Sequence, residues 1–331
     1  MNKVLVVIPH YNKLDLITKC IDNLEKQTYK NFKILIIDNG STDGSVLYIN
    51  KIASSNDKFH KILLNENIGF AAAVNKGIKF SIENNFKYTI LLNNDAFVDE
   101  DFIEKLVFDM DIKNCFAISS LMLSYKNKNV IDDFGDNYNL FGYAYQKFTG
   151  LDKSYATTNS KIFSACAGAS IYDNKKFEKV GLFDEEFFAY LEDIDISFRA
   201  RLYGFRCENC KNAICYHLGS ATSGTDKYNE FKVRMSARNN ILVIYKNMPI
   251  IMILINIYPI IIGFLLKQIY FTKKGFGIDY FFGIIDGIRG CKYVERFDFS
   301  KTSIFRLIKI EIDMIINTIE YIIQFLKRKI G

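Results

Sequence analysis

Hydrophobic positions in the first hundred residues follow two alternating periods. Apolar runs at 4–8, 33–37, 61–64 and 88–92 have strand length, and helix-length amphipathic stretches such as 14–27 and 70–83 lie between them. The pattern predicts βαβαβαβ. Near-continuous apolar strands separated by helices imply a doubly wound, mainly parallel α/β sheet, which binds ligands beyond the carboxyl ends of its strands.

Each predicted strand is followed by a polar cluster. These are Pro9-His10-Tyr11-Asn12, Asp38-Asn39-Gly40-Ser41-Thr42-Asp43-Gly44, Asn65-Glu66-Asn67-Ile68-Gly69 and Asn93-Asn94-Asp95. In the second, Ser41 or Thr42 is the expected N-cap of the next helix, with Asp43 in its first turn and Gly40 and Gly44 allowing a tight approach. No G-x-x-x-x-G-K-[ST] and no G-x-G-x-x-G follows the first strand, so a bound nucleotide needs another grip.

Beyond residue 97 the pattern becomes mixed. A small-residue run, Ser164-Ala165-Cys166-Ala167-Gly168-Ala169-Ser170, precedes a helix expected over 191–203 and closed by Gly204. The expected division is 1–97 as a nucleotide-binding half, 98–247 as an acceptor half, and 248–331 as a helical, basic and hydrophobic extension. That extension opens with 249–266, an uncharged run of 18 residues with Pro259 in its middle. The expectation is a helix-breaking hydrophobic hairpin or an interfacial segment, with a buried core helix as the plain alternative. A second amphipathic stretch, 304–330, ends in Lys327-Arg328-Lys329.

Composition adds two things. An apolar share of 49% with 24% charged residues is that of a globular chain. The net charge of +6 is concentrated at the end, where 248–331 carries twelve Lys and Arg against seven Asp and Glu. Interleaved with long Ile, Leu and Phe runs, those charges suit an anionic membrane surface and argue against nucleic acid. Seven scattered Cys, with no signal-type apolar segment after Met1-Asn2-Lys3, fit a reducing cytoplasm.

Two acidic segments stand out as candidate chemistry. A carboxylate at the end of a buried strand, as expected for Asp95, is costly unless it meets a cation or donors. A hard divalent ion, Mn²⁺ or Mg²⁺, completes such a sparse site with waters and a diphosphate, and Asn93 and Asn94 offer neutral oxygens. An ordinary strand-end turn explains the same residues. In Glu192-Asp193-Ile194-Asp195, Asp195 and Arg199 are spaced i, i+4 and can pair. Asp193 is then the candidate general base, although acids in a first helical turn are also favoured by the helix dipole alone. His217 is a further candidate ligand or a satisfied core or surface group. Cys207-x-x-Cys210 with Cys215 and His217 also reads as a zinc cluster, although its spacing is tighter than that of paired knuckles and a second pair is missing. Arg238 and Asn239 could reach a diphosphate or simply lie on a solvated helix face.

Taken in order, Pro9-x-Tyr11-Asn12, Asp38-Asn39-x-Ser41-x-Asp43-Gly44, Asn67-x-Gly69 with Asn75-x-Gly77, Asn93-Asn94-Asp95-Ala96, Glu192-Asp193-x-Asp195 and His217 resemble the inverting family 2 glycosyltransferases of the GT-A fold, especially the rhamnosyltransferase branch. The resemblance spans about residues 3–247. It implies that Pro9 and Tyr11 line a base pocket, that Asp38 accepts from a pyrimidine N3 hydrogen, and that Asn67, Asn75 and Asn93 lie along the nucleotide and donor sugar. It implies Asp95 and His217 as metal ligands, Asp193 as base and Arg238 as an aid to the leaving group. The family's first Asp-x-Asp carboxylate is Asn93 here, which implies weaker or more phosphate-dependent metal binding. The implied donor is a dTDP- or UDP-sugar, the acceptor a glycan or lipid-linked hydroxyl, and the setting cell-surface polysaccharide assembly on the inner face of the membrane. A sugar nucleotidyltransferase or a catalytically silent sugar-binding module remain the alternatives.

Overall fold

A computed structural model describes residues 2–219 and 228–330, with side chains through Lys327. Its first half runs β1 (Val4–His10), α1 (Leu14–Glu25), β2 (Phe32–Asn39), α2 (Ser45–Ser55), β3 (Phe59–Leu64), α3 (Phe70–Glu83), β4 (Tyr88–Leu92), β5 (Ala96–Val98), α4 (Phe102–Lys113) and β6 (Ala117–Ser124). The second half follows with β7 (Ile131–Asp133), β8 (Asp136–Tyr138), β9 (Ala144–Gln146), β10 (Lys161–Ile162), β11 (Ala169–Asp173), α5 (Asn174–Val180), α6 (Glu192–Leu202), β12 (Cys207–His217) and α7 (Glu230–Asn247). Four helices complete the described chain: α8 (Ile250–Ile255), α9 (Ile257–Lys273), α10 (Gly277–Gly290) and α11 (Ile304–Ile330).

The main sheet has the path β10-β12-β6-β11-β4-β1-β2-β3. β4, β1, β2 and β3 pair parallel, β11 runs antiparallel between β4 and β6, and β12 lies parallel to β6. This is the doubly wound, mainly parallel arrangement that the apolar periodicity predicts. Alternate residues of each strand feed two cores. Val4, Val6 and Ile8 pack towards α1 and α4, while Leu5 and Val7 face α3. Gly77 on α3 lets that helix lie against β1, because a Cβ there would come 2.4 Å from a Val7 methyl.

The helix following β2 starts later than expected. Gly44, at φ +89°, precedes its first residue, and neither Ser41 nor Thr42 caps it. Ser41 instead accepts a hydrogen bond from the Asn12 amide at 2.8 Å, and Asp43 accepts from Leu14 N at 2.9 Å and from Ser45 N at 3.2 Å. Polar residues after β1 and β2 are therefore spent on each other, which ties two strand ends together.

A third core joins α6 and α7 to the C-terminal helices through Phe187, Phe198, Leu242, Met252 and Met314. The uncharged run 249–266 does not break at Pro259. It divides at Asn256, whose amide donates to Met252 O and to Glu311 Oε1, while Pro259 sits in the first turn of α9 where no amide hydrogen is needed. α11 spans the expected 304–330 and is anchored through Asn317, Thr318 and Gln324 to β8, β9 and their flanks. Side chains of Arg328 and Lys329 lie outside the described residues. No helix among the described residues is long and apolar enough to cross a membrane.

Candidate active site

The carboxyl ends of β1, β2 and β4 open onto one large cavity of about 1450 Å³. Pro9, Tyr11, Asn39, Asn67 and Asn93 line one part of it, and Cys166, Ala167, Gly168, Glu192, Asp193 and His217 line another. Its volume exceeds the roughly 300–1,000 Å³ of a single small-ligand pocket, so it has room for two substrates at once.

Sheet pairing assembles the first charged group. β5 runs antiparallel to the end of β12 with His217 opposite Ala96, which sets the imidazole beside Asp95. Nε2 of His217 lies 3.3 Å from Asp95 Oδ1, and Nδ1 lies 2.6 Å from Asp132 Oδ2. Burial opposes protonation of this ring, but hydrogen bonds and charge from Asp132 and Asp95 outweigh it and push the pKa up to about 10. The pair fits a divalent ion: one carboxylate oxygen and one imidazole nitrogen at this spacing match neighbouring ligands with bonds of about 2.0–2.2 Å. Asp132 supplies the carboxylate–histidine contact that orients such a ligand. Asp132 carries no local sequence signal, because 85 positions separate it from His217. Asn94 is turned away to His10 Nδ1 at 2.8 Å.

Asp193 occupies the start of α6. Its Oδ1 accepts from Ile194 N at 2.8 Å, its Oδ2 faces Ala167 N at 3.4 Å, and its carbonyl accepts from Ser164 Oγ at 2.9 Å. Burial raises this carboxyl to about 6 and backbone amides pull it back. Burial, and then the Asp193 charge, raise Glu192 to about 8. Glu192 is raised the further of these adjacent cavity-lining carboxyls, because it feels the Asp193 charge as well as burial, so Asp193 is the readier of the two to ionise. A carboxylate near neutrality is suited to remove a hydroxyl proton.

The same helix fixes Asp195 differently. Fully buried, it accepts from Arg199 Nε at 3.1 Å and Nη2 at 2.8 Å, and from Asn247 Nδ2 at 2.8 Å, with Lys246 Nζ at 3.2 Å. It joins α6 to α7 and does not line the cavity.

Several sequence candidates stand elsewhere. Asn75 is buried, with its amide spent on Phe183 and Glu185, so it ties α3 to that loop. Asp38 is also buried off the cavity wall; Oδ2 accepts from Ser41 N, Oδ1 has no partner, and the next residue, Asn39, lines the cavity. Asn39 in turn holds Asn67 at 2.9 Å. Arg238 donates to Glu186 O at 2.7 Å and does not line the cavity. Asn239 is fully buried, its amide nitrogen 2.7–2.9 Å from the carbonyls of Phe187, Ala189 and Tyr190. It clamps a loop in which Phe188, Tyr190 and Leu191 all have positive φ, a conformation costly for such side chains. Asn239 is thus spent on that loop, and Arg238 Nη1 is held by the carbonyl of Glu186. Cys207, Cys210 and Cys215 are strung along β12 and form no metal cluster among the described residues; those that do gather are Asp133, Asp136 and Cys166.

The family model "Glycosyl transferase family 2" matches residues 5–181. Glycosyltransferase GlyA of Streptococcus pneumoniae serotype 4 is 26% identical over 189 residues, which cover 54% of this chain and 25% of that protein. Poly-beta-1,6-N-acetyl-D-glucosamine synthase of Staphylococcus aureus is 26% identical over 214 residues, covering 65% of this chain and 49% of the synthase. The chain thus spans from a quarter to about half the length of these curated relatives. Among solved structures, the mannosyltransferase PcManGT from Pyrobaculum calidifontis, in complex with GDP-Man and Mn²⁺, aligns with a TM-score of 0.55 at 14% identity, covering 87% of this chain and 73% of that one. That likeness, with the mixed sheet and helical C-terminal region, shows the GT-A type of fold.

Proposed function

The chain belongs to glycosyl transferase family 2, and from this membership we propose that it transfers L-rhamnose from dTDP-rhamnose to a hydroxyl of a glycan or lipid-linked acceptor, inverting the anomeric centre. That it is a glycosyltransferase follows from the family; donor, acceptor and residue roles are the proposal. The observation that carries it is that Asp193, whose carboxyl burial raises toward neutrality, and His217, whose Nε2 lies 3.3 Å from the buried Asp95, line the same cavity.

In this reading Asp193 takes the proton of the acceptor hydroxyl as the acceptor oxygen bonds to the anomeric carbon. The bond from that carbon to the diphosphate oxygen breaks on the opposite face, and its electron pair leaves with the nucleoside diphosphate. A Mn²⁺ or Mg²⁺ ion held by Asp95 and His217 would offset the charge gathering on that diphosphate. The Mn²⁺ of PcManGT supports a divalent ion here. Pro9, Tyr11, Asn67 and Asn93 border the donor end, and Asp38 stands behind it, one residue before the cavity-lining Asn39.

Apolar surface favours a peripheral position on the inner face of the membrane. Ile250, Leu254, Ile261, Leu265, Ile315 and Ile319 are among many exposed apolar side chains on α8, α9 and α11, in the most basic part of the chain. Assembly of a cell-surface polysaccharide is the reaction sequence that suits such a protein.

Purified protein with Mn²⁺ and a panel of UDP-, GDP- and dTDP-sugars tests the donor. Slow hydrolysis of dTDP-rhamnose is expected; consumption of a GDP-sugar alone would overturn the rhamnosyl assignment.

A further inference from the structure

Lys267 is a cation without an obvious task. It lies on α9, far along the chain from the family motifs, yet it borders the same cavity as Asp193. Its ammonium sits 4.1 Å from the centre of the Tyr143 ring, and no carboxylate pairs with it among the described residues. Burial alone lowers its pKa, to about 7, with no acidic group near enough to hold it up. A half-buried ammonium left with only a ring face is poorly compensated, and an anion reaching it would gain a strong, charge-assisted contact.

The surroundings specify what carries that anion. Next to Lys267 the cavity wall is formed by Leu266, Tyr270, Ile322 and Phe325, each also strongly exposed. The cavity therefore opens to the surface between α9 and α11, on the helices whose outward faces are apolar. Asp193 lines the same cavity. A ligand that fills this path needs a hydroxyl at one end, a negative group in the middle and an apolar chain that leaves the protein.

Building on the transferase reading above, we propose that Lys267 is the anion-binding residue for the phosphate or diphosphate of a lipid-linked acceptor, whose hydrocarbon chain exits between α9 and α11 and whose sugar hydroxyl reaches Asp193. This narrows the acceptor from any glycan to a phospholipid-linked one. It also gives the C-terminal helices a part in substrate choice besides membrane contact.

Calorimetric titration with farnesyl diphosphate, inorganic diphosphate and farnesol tests it, in a zwitterionic detergent with EDTA to keep metal-bound diphosphate out of the donor end. The full chain should bind farnesyl diphosphate about ten-fold or more tightly than either fragment. Lys267→Met and Lys267→Gln should lose about ten-fold or more of that affinity, and Lys267→Arg should restore most of it. Thermal melting of each variant checks the fold. Wild-type affinity for farnesyl diphosphate in a folded neutral variant overturns the assignment, as does equal binding of inorganic diphosphate. Sedimentation with phosphatidylglycerol vesicles separates a bilayer headgroup from the acceptor. Neutral variants should sediment like the wild type, and a loss there would reassign Lys267 to the membrane and overturn the proposal. No nucleotide sugar enters these arms, so a wrong donor assignment leaves them unaffected. Lipid diphosphate binding without transfer from any donor would sink only the transferase reading.

Discussion

Asp132 and His217 form a hydrogen bond of 2.6 Å between Oδ2 and Nδ1, which turns the opposite ring nitrogen toward Asp95. Ring orientation is thus fixed from within β7, outside the Asn93-Asn94-Asp95 segment. Replacing Asp132 with Ala should weaken Mn²⁺ binding about 10–100-fold while leaving the two first ligands in place. Titration followed by the electron paramagnetic signal of free Mn²⁺ measures this. Unchanged affinity would remove Asp132 from the metal site.

Asp193→Asn should lower transfer by about 10²–10⁴-fold, the range a general base contributes. In the wild type, burial raises this carboxyl to about 6, so the base is lost to protonation as pH falls. The rate should therefore rise with pH through about 6 and then level. The stability sign is opposite to that of a paired acid. A folded-state value above the unfolded one means that ionisation costs stability at neutral pH, so the Asn variant should melt no lower than the wild type at pH 7.5. An Asp193→Asn protein with full turnover would end its assignment as base.

Asp195 is depressed despite its burial, because Arg199, Lys246 and Asn247 surround it. Its contribution to stability is complete above the unfolded carboxylate value of about 3.9 and disappears as pH falls through the lower folded value. Asp195→Ala leaves buried Arg199 without its carboxylate and Lys246 with Asp184 alone, a loss of about 3–5 kcal/mol. Chemical denaturation at pH 7 should show it. A loss below about 1 kcal/mol would mean that Asp184, which also pairs with Lys246, suffices for the network.

Exposed Ile308, Ile312, Ile315 and Ile319 form one face of α11. Changing Ile308, Ile315 and Ile319 together to Glu should reduce sedimentation with anionic vesicles and leave the melting temperature within about 2–4 °C, since surface substitutions cost little. Removal of everything after Asn247 is a poorer experiment, because Met252 and Met314 are core residues and their loss would uncover α6 and α7. Full membrane recovery of the triple variant would show that another surface makes the contact.

Periodicity alone determined the βα alternation, the parallel strands, α3 at 70–83 and α11 at 304–330, because these features repeat over neighbouring residues and a strand or helix displays its buried face locally. The spacing of Asp195 and Arg199 was legible for the same reason: four residues on one helix decide whether two side chains meet. Tertiary structure decided what distance in the chain conceals. β5 and β12 bring Asp95 to His217, the pairing of β7 with β6 brings Asp132, and packing of α9 brings Lys267 to the cavity of Asp193. It also decided which Asn residues are spent inside. Asn75 and Asn239 resemble ligand-facing amides in a motif, but only the folded chain shows that backbone carbonyls already occupy them. Local sequence fixes the direction of a side chain within its own element; which groups it meets depends on loop closures and sheet pairings that no short window contains.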